Sequence, residues 1–223
     1  METIIKQHVQ RVSLSWGNIV KLIIFAVILG NIVASIVMWI GKPFFGWYNV
    51  GLISFFAVLI CLFVYSPSRE YLRNAWNIRE LKNWRNYFWV IGGFFINWIA
   101  YSSLHHIPSQ SIWEVFTSSH HSYPLDTTIL QKAQYILSNA LMAPICEEVV
   151  VRGIIFKRIM EDKGMFTGVV VSSLIFAIMH HSLDMLYFMQ LFVSGVSLAL
   201  TYRYTRSLIF PILLHGIWNI LCL

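Results

Sequence analysis

Glu147-Glu148-Val149-Val150-Val151-Arg152 places three ionisable side chains in an otherwise aliphatic part of the chain. Glu148 and Arg152 are four residues apart, so on a helix they share a face and can pair. Glu147 is rotated by about 100° from its neighbour and has no such partner. The spacing therefore predicts a structural Glu148–Arg152 ion pair, and it leaves Glu147 as the carboxylate available for acid or base chemistry. The alternative is that both carboxylates belong to one structural charge network.

The composition indicates an integral membrane protein. Of the 223 residues, 57% are hydrophobic and only 12% are charged, whereas soluble domains carry about 25% charged residues. Ionisable groups at membrane depth cost roughly 2.5–3.5 kcal/mol each on insertion scales, so they usually mark function. The formal net charge of +6 is distributed over short stretches between apolar segments. This pattern argues against a basic face for nucleic acid.

Long uncharged segments predict an all-α bundle of about seven membrane helices, or eight if Pro144 splits one of them. The predicted spans are residues 18–40, 48–65, 87–104, 127–161, 166–181, 185–202 and 207–221. We expect about three N-terminal membrane helices within residues 1–126 and a catalytic core within residues 127–223. The polar stretch 66–86 predicts an amphipathic helix along the inner surface, and residues 105–126 form the predicted outer loop.

Charge placement predicts the orientation of the bundle. With seven crossings, 14 of the 16 Lys and Arg residues fall on or near one side of the membrane. Such an excess marks the cytoplasmic side, so we expect a cytoplasmic N-terminus, with Lys42 and Lys132 on or near the other side. Residues 22–41 are uncharged and exceed the apolar region of about 7–15 residues in a cleaved signal peptide. We therefore expect the first helix to be retained.

Two further polar pairs occur at helical spacing, Phe176 with His180 and His215 with Asn219. Counting about 1.5 Å per residue along the predicted helices, Glu147, His180 and His215 can all lie in the middle part of the bilayer core. As structural features, these imidazoles and the amide predict interhelical hydrogen bonds. As functional groups, His180 is a free imidazole, and His215 with Asn219 forms a pair of donors for a developing oxyanion.

Several other residues leave alternatives open. Gly216 would let a neighbouring helix or a substrate backbone approach closely. Cys146 adjoins Glu147, so a thiol nucleophile is an alternative to the small buried residue that we expect. His181 is rotated away from His180 and is expected at the membrane interface. The predicted outer loop contains two histidine pairs, which are expected to be incidental or, alternatively, to bind a regulatory metal: His105-His106 and His120-His121.

The motifs EExxxR, FxxxH and HxxxN, in this order on successive predicted helices, resemble the CAAX-protease and bacteriocin-processing (Abi) family of intramembrane proteases. The matching residues are Glu147, Glu148 and Arg152, then Phe176 and His180, then His215 and Asn219. The match covers roughly residues 127–223. The resemblance implies proteolysis within the membrane, with water activated by Glu147 and His180. It also implies that His215 and Asn219 stabilise the oxyanion.

The metal requirement is a separate question. Glutamate and histidine are zinc ligands, so Glu147, His180 and His215 form the alternative ligand set. These residues come from separate helices, however, and the sequence contains no HExxH motif, which is typical of zinc proteases. We therefore favour a mechanism without a metal cofactor.

Three functions compete at this point. The favoured one is an intramembrane endopeptidase of a bacterial cell membrane, which acts on membrane-associated peptides or proteins in bacteriocin maturation or self-immunity. The second is a catalytically silent immunity or scaffold protein that keeps the same fold. The third is a small proton-coupled transporter, because intramembrane carboxylates such as Glu147 also mark ion pathways. The expected partners are the substrate and the lipid bilayer, and no nucleic acid.

Overall fold

The computed structural model describes residues 14–41, 48–104, 128–180 and 183–222, and all regular secondary structure in these ranges is helical. The helices are α1 Trp16–Gly41, α2 Tyr48–Val64, α3 Ser66–Leu72, α4 Arg85–Leu104, α5 (residues 129–163), α6 Met165–Met179, α7 Met185–Thr205 and α8 Ile209–Cys222. The predicted all-α class is confirmed. His181, the two histidine pairs and all of the predicted outer loop lie outside the described residues.

The stretch 66–86 differs from its prediction. It forms the short helix α3 and two 3₁₀ turns, Arg73–Ala75 and Ile78–Lys82, so the prediction of one amphipathic helix is wrong. Two contacts with the bundle explain the break. Tyr71 and Leu72 are buried in the core, and the Ala75 carbonyl accepts a hydrogen bond from Leu208 N at 2.8 Å. These contacts attach the segment to the bundle, while Arg69, Arg73, Arg79 and Lys82 remain exposed. Its position along the inner surface of the membrane stays a prediction.

Pro144 does not split α5. The helix consists of α-helical segments Ile129–Ile136, Ala143–Glu148 and Lys157–Lys163, which alternate with π-helical segments Leu137–Met142 and Val149–Phe156. Proline has no N–H and clashes with the preceding turn of a regular α-helix. The wider π-helical turn before Pro144 accommodates this, since Ala143 N donates to Ser138 O, five residues earlier. The alternative in which Pro144 breaks its helix in two is therefore wrong.

The second half of α5 lies at the centre of the bundle. Val149, Val151, Ile154 and Phe156 each have 0% of their surface exposed. The helices around them approach closely where glycine permits it. A Cβ built on Gly195 of α7 would lie 2.9 Å from Cα and Cβ of Ser173 on α6. This close approach brings α7 against α6.

Helix α7 packs on α4 through buried polar side chains. Ser197 Oγ donates to Asn97 Oδ1 at 3.0 Å, and Thr201 Oγ1 donates to Ser197 O within α7 at 2.8 Å. All three side chains are at most 2% exposed. Small and hydroxyl residues at helix contacts are characteristic of bundles in lipid, where apolar burial alone does not drive association.

Large apolar side chains lie on the outside of the bundle. Trp39 is 85% exposed, Ile99 61%, Phe25 60% and Phe88 59%. By length and composition, one helix of the described residues, Met185–Thr205, is long and apolar enough to cross a membrane. Trp16–Phe25, Met165–Met179 and Ile209–Cys222 are shorter apolar helical stretches. The number of crossings therefore stays a prediction.

The C-terminal end of α5 is tied to α1 and α3. Trp16 Nε1 donates to Asp162 Oδ2 at 2.7 Å, and Tyr71 Oη donates to Glu161 Oε2 at 2.9 Å. Burial, aided by the negative charge of Glu161, raises the pKa of the Tyr71 phenol. Tyr71 therefore stays protonated at neutral pH and keeps its donor role. These contacts connect the N-terminal helices to the helix that carries Glu147.

Candidate active site

Glu147, His180 and His215 meet at one point, although they come from α5, the C-terminal end of α6 and α8. Glu147 Oε2 lies 3.9 Å from Nε2 of His180 and 3.9 Å from Nε2 of His215. The side chains of Glu147 and His180 are 19% and 25% exposed, and that of His215 is 6% exposed. Glu147 Oε2 is itself buried and has no hydrogen-bond partner among the described residues. The cluster thus combines an available carboxylate with two imidazoles at the edge of the core.

The ring of His180 is held by its own helix. His180 is the C-cap residue of α6, and its Nδ1 lies 2.8 Å from the Phe176 carbonyl oxygen. Because a carbonyl only accepts hydrogen bonds, Nδ1 carries the proton in the neutral ring. Nε2 therefore presents a lone pair toward Glu147. The Phe176 ring packs against the imidazole with centroids 4.7 Å apart.

Glu148 has two partners on the same oxygen. Its Oε1 lies 3.0 Å from Arg152 Nη1 and 3.0 Å from His215 Nδ1. Glu148 and Arg152 are both completely buried. The helical spacing predicted the pairing with Arg152, but nothing in the sequence linked Glu148 to His215. Glu148 therefore orients a site imidazole in addition to balancing a buried cation.

Arg152 connects this pair to the neighbouring helices. Its Nη2 donates to the Gly195 carbonyl of α7 at 3.0 Å, and its guanidinium lies 4.5 Å from the centre of the Phe176 ring. The same Phe176 ring is 5.5 Å from the His215 ring, edge to face. The motif phenylalanine thus packs between the buried cation and both imidazoles.

The amide of Asn219 bonds to the main chain of α5. Asn219 Nδ2 donates to the Asn139 carbonyl oxygen at 2.8 Å, in the π-helical segment Leu137–Met142. Gly216 lies beside it, and a Cβ at this position would be 2.5 Å from the Ala140 carbonyl oxygen. Gly216 was expected to allow close approach of a neighbouring helix or of a substrate backbone. In the structure, it allows the close approach of α5. Sequence reasoning did not identify Asn139, although Pro144 five residues later marks a disturbed helix.

The alternative nucleophile and the alternative metal site can also be located. Cys146 is free and 5% exposed, within the core. The proposed zinc ligands Glu147, His180 and His215 do converge. Among the described residues, however, no group of three or more His, Cys, Asp or Glu side chains has the arrangement needed to hold a metal ion. The metal requirement stays a prediction, and no step of the chemistry below is assigned to a metal.

The described residues form a helical bundle with an apolar exterior, in which one glutamate and two histidines converge. Residues 129–221 match the family described as type II CAAX prenyl endopeptidase, Rce1-like. All seven motif residues lie within the match. The family resemblance and the enzyme class predicted from the motifs are thereby confirmed.

One curated relative supports the same assignment. The chain is 27% identical over 169 residues to the protein named "Putative membrane peptidase YdiL" of Bacillus subtilis (strain 168), an alignment that covers 75% of this chain and 67% of the relative. No solved structure matches the chain. The relative's alignment extends the similarity beyond the matched domain.

Proposed function

We propose that the chain is an intramembrane endopeptidase that hydrolyses peptide bonds of membrane-associated peptides or proteins. One observation carries the proposal: the buried, unpartnered Oε2 of Glu147 faces two imidazole Nε2 atoms at 3.9 Å each. This separation exceeds a direct hydrogen bond of about 2.7–3.2 Å. It suits a single water molecule that is hydrogen-bonded to Glu147 Oε2 and to His180 Nε2.

In the proposed reaction, Glu147 and His180 act on that water together. The carboxylate of Glu147 removes one proton, and the Nε2 lone pair of His180 accepts a hydrogen bond from the other. The resulting hydroxide adds to the peptide carbonyl. The proton on Glu147 then passes to the leaving nitrogen, so that the C–N bond breaks and a carboxylic acid and an amine form.

His215 stabilises the oxyanion in this proposal only when both of its ring nitrogens carry a proton. Its Nδ1 faces the Glu148 carboxylate at 3.0 Å, where it acts as a donor. Donation from Nε2 to the substrate oxygen therefore requires the imidazolium form. Asn219 is the second proposed donor to the oxyanion.

The proposed location is a bacterial cell membrane, with the N-terminus in the cytoplasm. The exposed apolar side chains, the apolar helix Met185–Thr205 and the name of the curated relative support membrane embedding. Exposed apolar surface of this extent is characteristic of a chain whose solvent is lipid.

The proposal is tested by comparing the membrane proteomes of cells that produce wild-type protein and cells that produce Glu147→Ala. Proteins or peptides shortened only in the presence of wild type are candidate substrates, and these include bacteriocin precursors if the chain matures them. The purified enzyme is then assayed on the candidates.

Glu147→Gln should lower kcat by about 10²–10⁴-fold, because the variant lacks the general base. Its thermal midpoint in detergent should stay close to that of wild type. Glu70→Gln is the matched control, since Glu70 is an exposed glutamate on α3 that bonds to Ser66. Wild-type turnover by purified Glu147→Gln would refute the proposed mechanism.

A further inference from the structure

We infer that the π-helical segment Leu137–Met142 positions the Asn219 amide. Pro144 and Gly216 are the positioning residues on which this contact depends. The inference rests on the proposed function, in which Asn219 donates to the oxyanion. It extends the site from its motif residues to a stretch of main chain on α5.

Pro144 explains why the Asn139 carbonyl needs an outside donor. In a regular α-helix this carbonyl would accept from the N–H of Ala143, but that N–H donates to Ser138 O. The next donor in the π-helical register would be residue 144, and proline has no N–H. A main-chain carbonyl inside a helix bundle requires a partner. Asn219 Nδ2 supplies it at 2.8 Å.

Gly216 explains how α8 comes close enough to provide this partner. A Cβ at residue 216 would lie 2.5 Å from Ala140 O, which is a main-chain atom that cannot rotate away as a side chain can. Gly216 and Asn219 are three residues apart and therefore share a face of α8. They meet two consecutive carbonyls, those of Ala140 and Asn139. Helix α8 therefore contacts the π-helical segment at two points, Gly216 and Asn219, and we call this contact the dock.

The dock fixes the orientation of the amide. Because the Asn139 carbonyl only accepts, the nitrogen of the Asn219 amide must face it. One N–H is used in this contact, and the direction of the second is set by the plane of the amide. His215 lies one turn earlier on α8, so both proposed oxyanion donors are carried by one docked face. A donor that is already oriented needs no reorganisation during the reaction.

Two substitutions test the dock from opposite sides. Pro144→Ala restores an N–H that can bond to the carbonyl of Asn139 or Ala140 and compete with Asn219. Gly216→Ala pushes α8 away from Ala140. A displacement of about 1 Å can cost about 10²-fold in rate. We therefore expect each variant to lower kcat about 10- to 100-fold, with KM within about twofold of wild type.

Gly92→Ala is the matched glycine control, because a Cβ there meets nothing within 4 Å, and it should keep wild-type kcat. Pro144→Ala should keep or raise the thermal midpoint, since it removes a helix-interior proline. If Gly216→Ala does not fold, Pro144→Ala carries the test.

The deciding measurement combines Pro144→Ala with Asn219→Ala. If the dock acts through Asn219, adding Pro144→Ala to Asn219→Ala should lower kcat by no more than about twofold, because residues that act as a unit are not additive. The inference is overturned if Pro144→Ala lowers kcat equally in wild type and in Asn219→Ala. It is also overturned if Pro144→Ala, and every Gly216→Ala preparation that folds, keeps wild-type kcat. Glu147→Gln is assayed alongside. Failure of the wild-type chain to cleave any candidate refutes the proposed function, and wild-type kcat in Glu147→Gln refutes the role assigned to Glu147. An active wild type, an impaired Glu147→Gln and a fully active Pro144→Ala refute the dock alone.

Discussion

Glu148 illustrates how one side chain serves structure and chemistry at once. Its Oε1 accepts hydrogen bonds from Arg152 and His215, while its Oε2 is buried and has no hydrogen-bond partner in the described part of the chain. A buried carboxylate in this position is costly unless its charge is balanced. Arg152 provides the balancing charge, and His215 uses the same oxygen for its orientation. The two functions should therefore be separable by mutation.

Stability and turnover should respond differently to single and double substitutions of Glu148 and Arg152. Glu148→Gln or Arg152→Gln leaves a charged partner unpaired, which costs about 3–5 kcal/mol for buried pairs in soluble proteins. The double variant should recover part of the lost thermal midpoint, because neither charge remains. Its kcat should stay low, since His215 Nδ1 still lacks its carboxylate. The measurements are thermal unfolding in detergent and turnover of the same preparations.

Two results would contradict this assignment of roles. A double variant no more stable than the worse single variant would rule out the ion pair as the source of the stability loss. A double variant with wild-type kcat would show that His215 does not depend on Glu148.

The metal question can be decided on purified protein. Without a metal cofactor, elemental analysis should find far less than one zinc per chain, and activity should persist in phenanthroline. Zinc hydrolases lose both the Lewis acid and the activated water when the ion is removed. Zinc at about one per chain, lost together with activity and restored with it, would identify Glu147, His180 and His215 as ligands.

The sequence predicted where the helices begin and end better than it predicted the hydrogen-bond pattern within them. Apolar runs end at charged or polar residues, so all seven predicted spans agree with the observed helices to within about three residues at each end, as is usual for such boundaries. The long span 127–161 corresponds to α5. Its π-helical segments follow from hydrogen-bond register, which depends on tertiary partners such as Asn219. The break of 66–86 likewise depends on a contact with the distant Leu208.

The same distinction applies to the candidate site. The spacing of Glu148 and Arg152 is a property of one helix, so the sequence was sufficient to predict that they share a face. The Glu148–His215 contact joins residues 67 positions apart on two helices. The Asn219–Asn139 contact joins residues 80 positions apart. Periodicity within one segment carries no information on such pairs.

The approach of α6 to α7 provides a prediction about packing. Gly195→Ala would place a methyl group 2.9 Å from Cα and Cβ of Ser173 and would displace the carbonyl that binds Arg152. Overpacking of this kind costs about 1–3 kcal/mol, so the thermal midpoint should fall. Gly92→Ala meets no neighbour within 4 Å and should be neutral or slightly stabilising. Equal midpoints for the two variants would contradict the close contact.

The molecule as a whole combines an apolar exterior with polar contacts concentrated inside and at one end. The contacts of Trp16 with Asp162 and of Tyr71 with Glu161 lie at the C-terminal end of α5. Most of the positive charge is predicted on that same side. The excess of Lys and Arg predicts an orientation with this end in the cytoplasm.

Chemical labelling tests the orientation. Lys163 is the last residue of α5 and Leu183 precedes α7, and both are exposed. In a background that carries Cys222→Ser, a cysteine at Leu183 should react with a membrane-impermeant maleimide on intact cells. A cysteine at Lys163 should react only after permeabilisation. The reverse pattern would invert the topology, and labelling of both on intact cells would exclude a span over Met165–Met179.

Pro144 has a consequence for anyone who selects this enzyme for durability. Replacing a helix-interior proline is among the first changes that a thermostability screen or a directed-evolution campaign will enrich. If Pro144 maintains the dock, variants selected for stability will express well and resist heat, but their kcat will be low. Libraries meant to yield a robust catalyst should therefore hold Pro144 and Gly216 constant and direct variation to the lipid-facing surface.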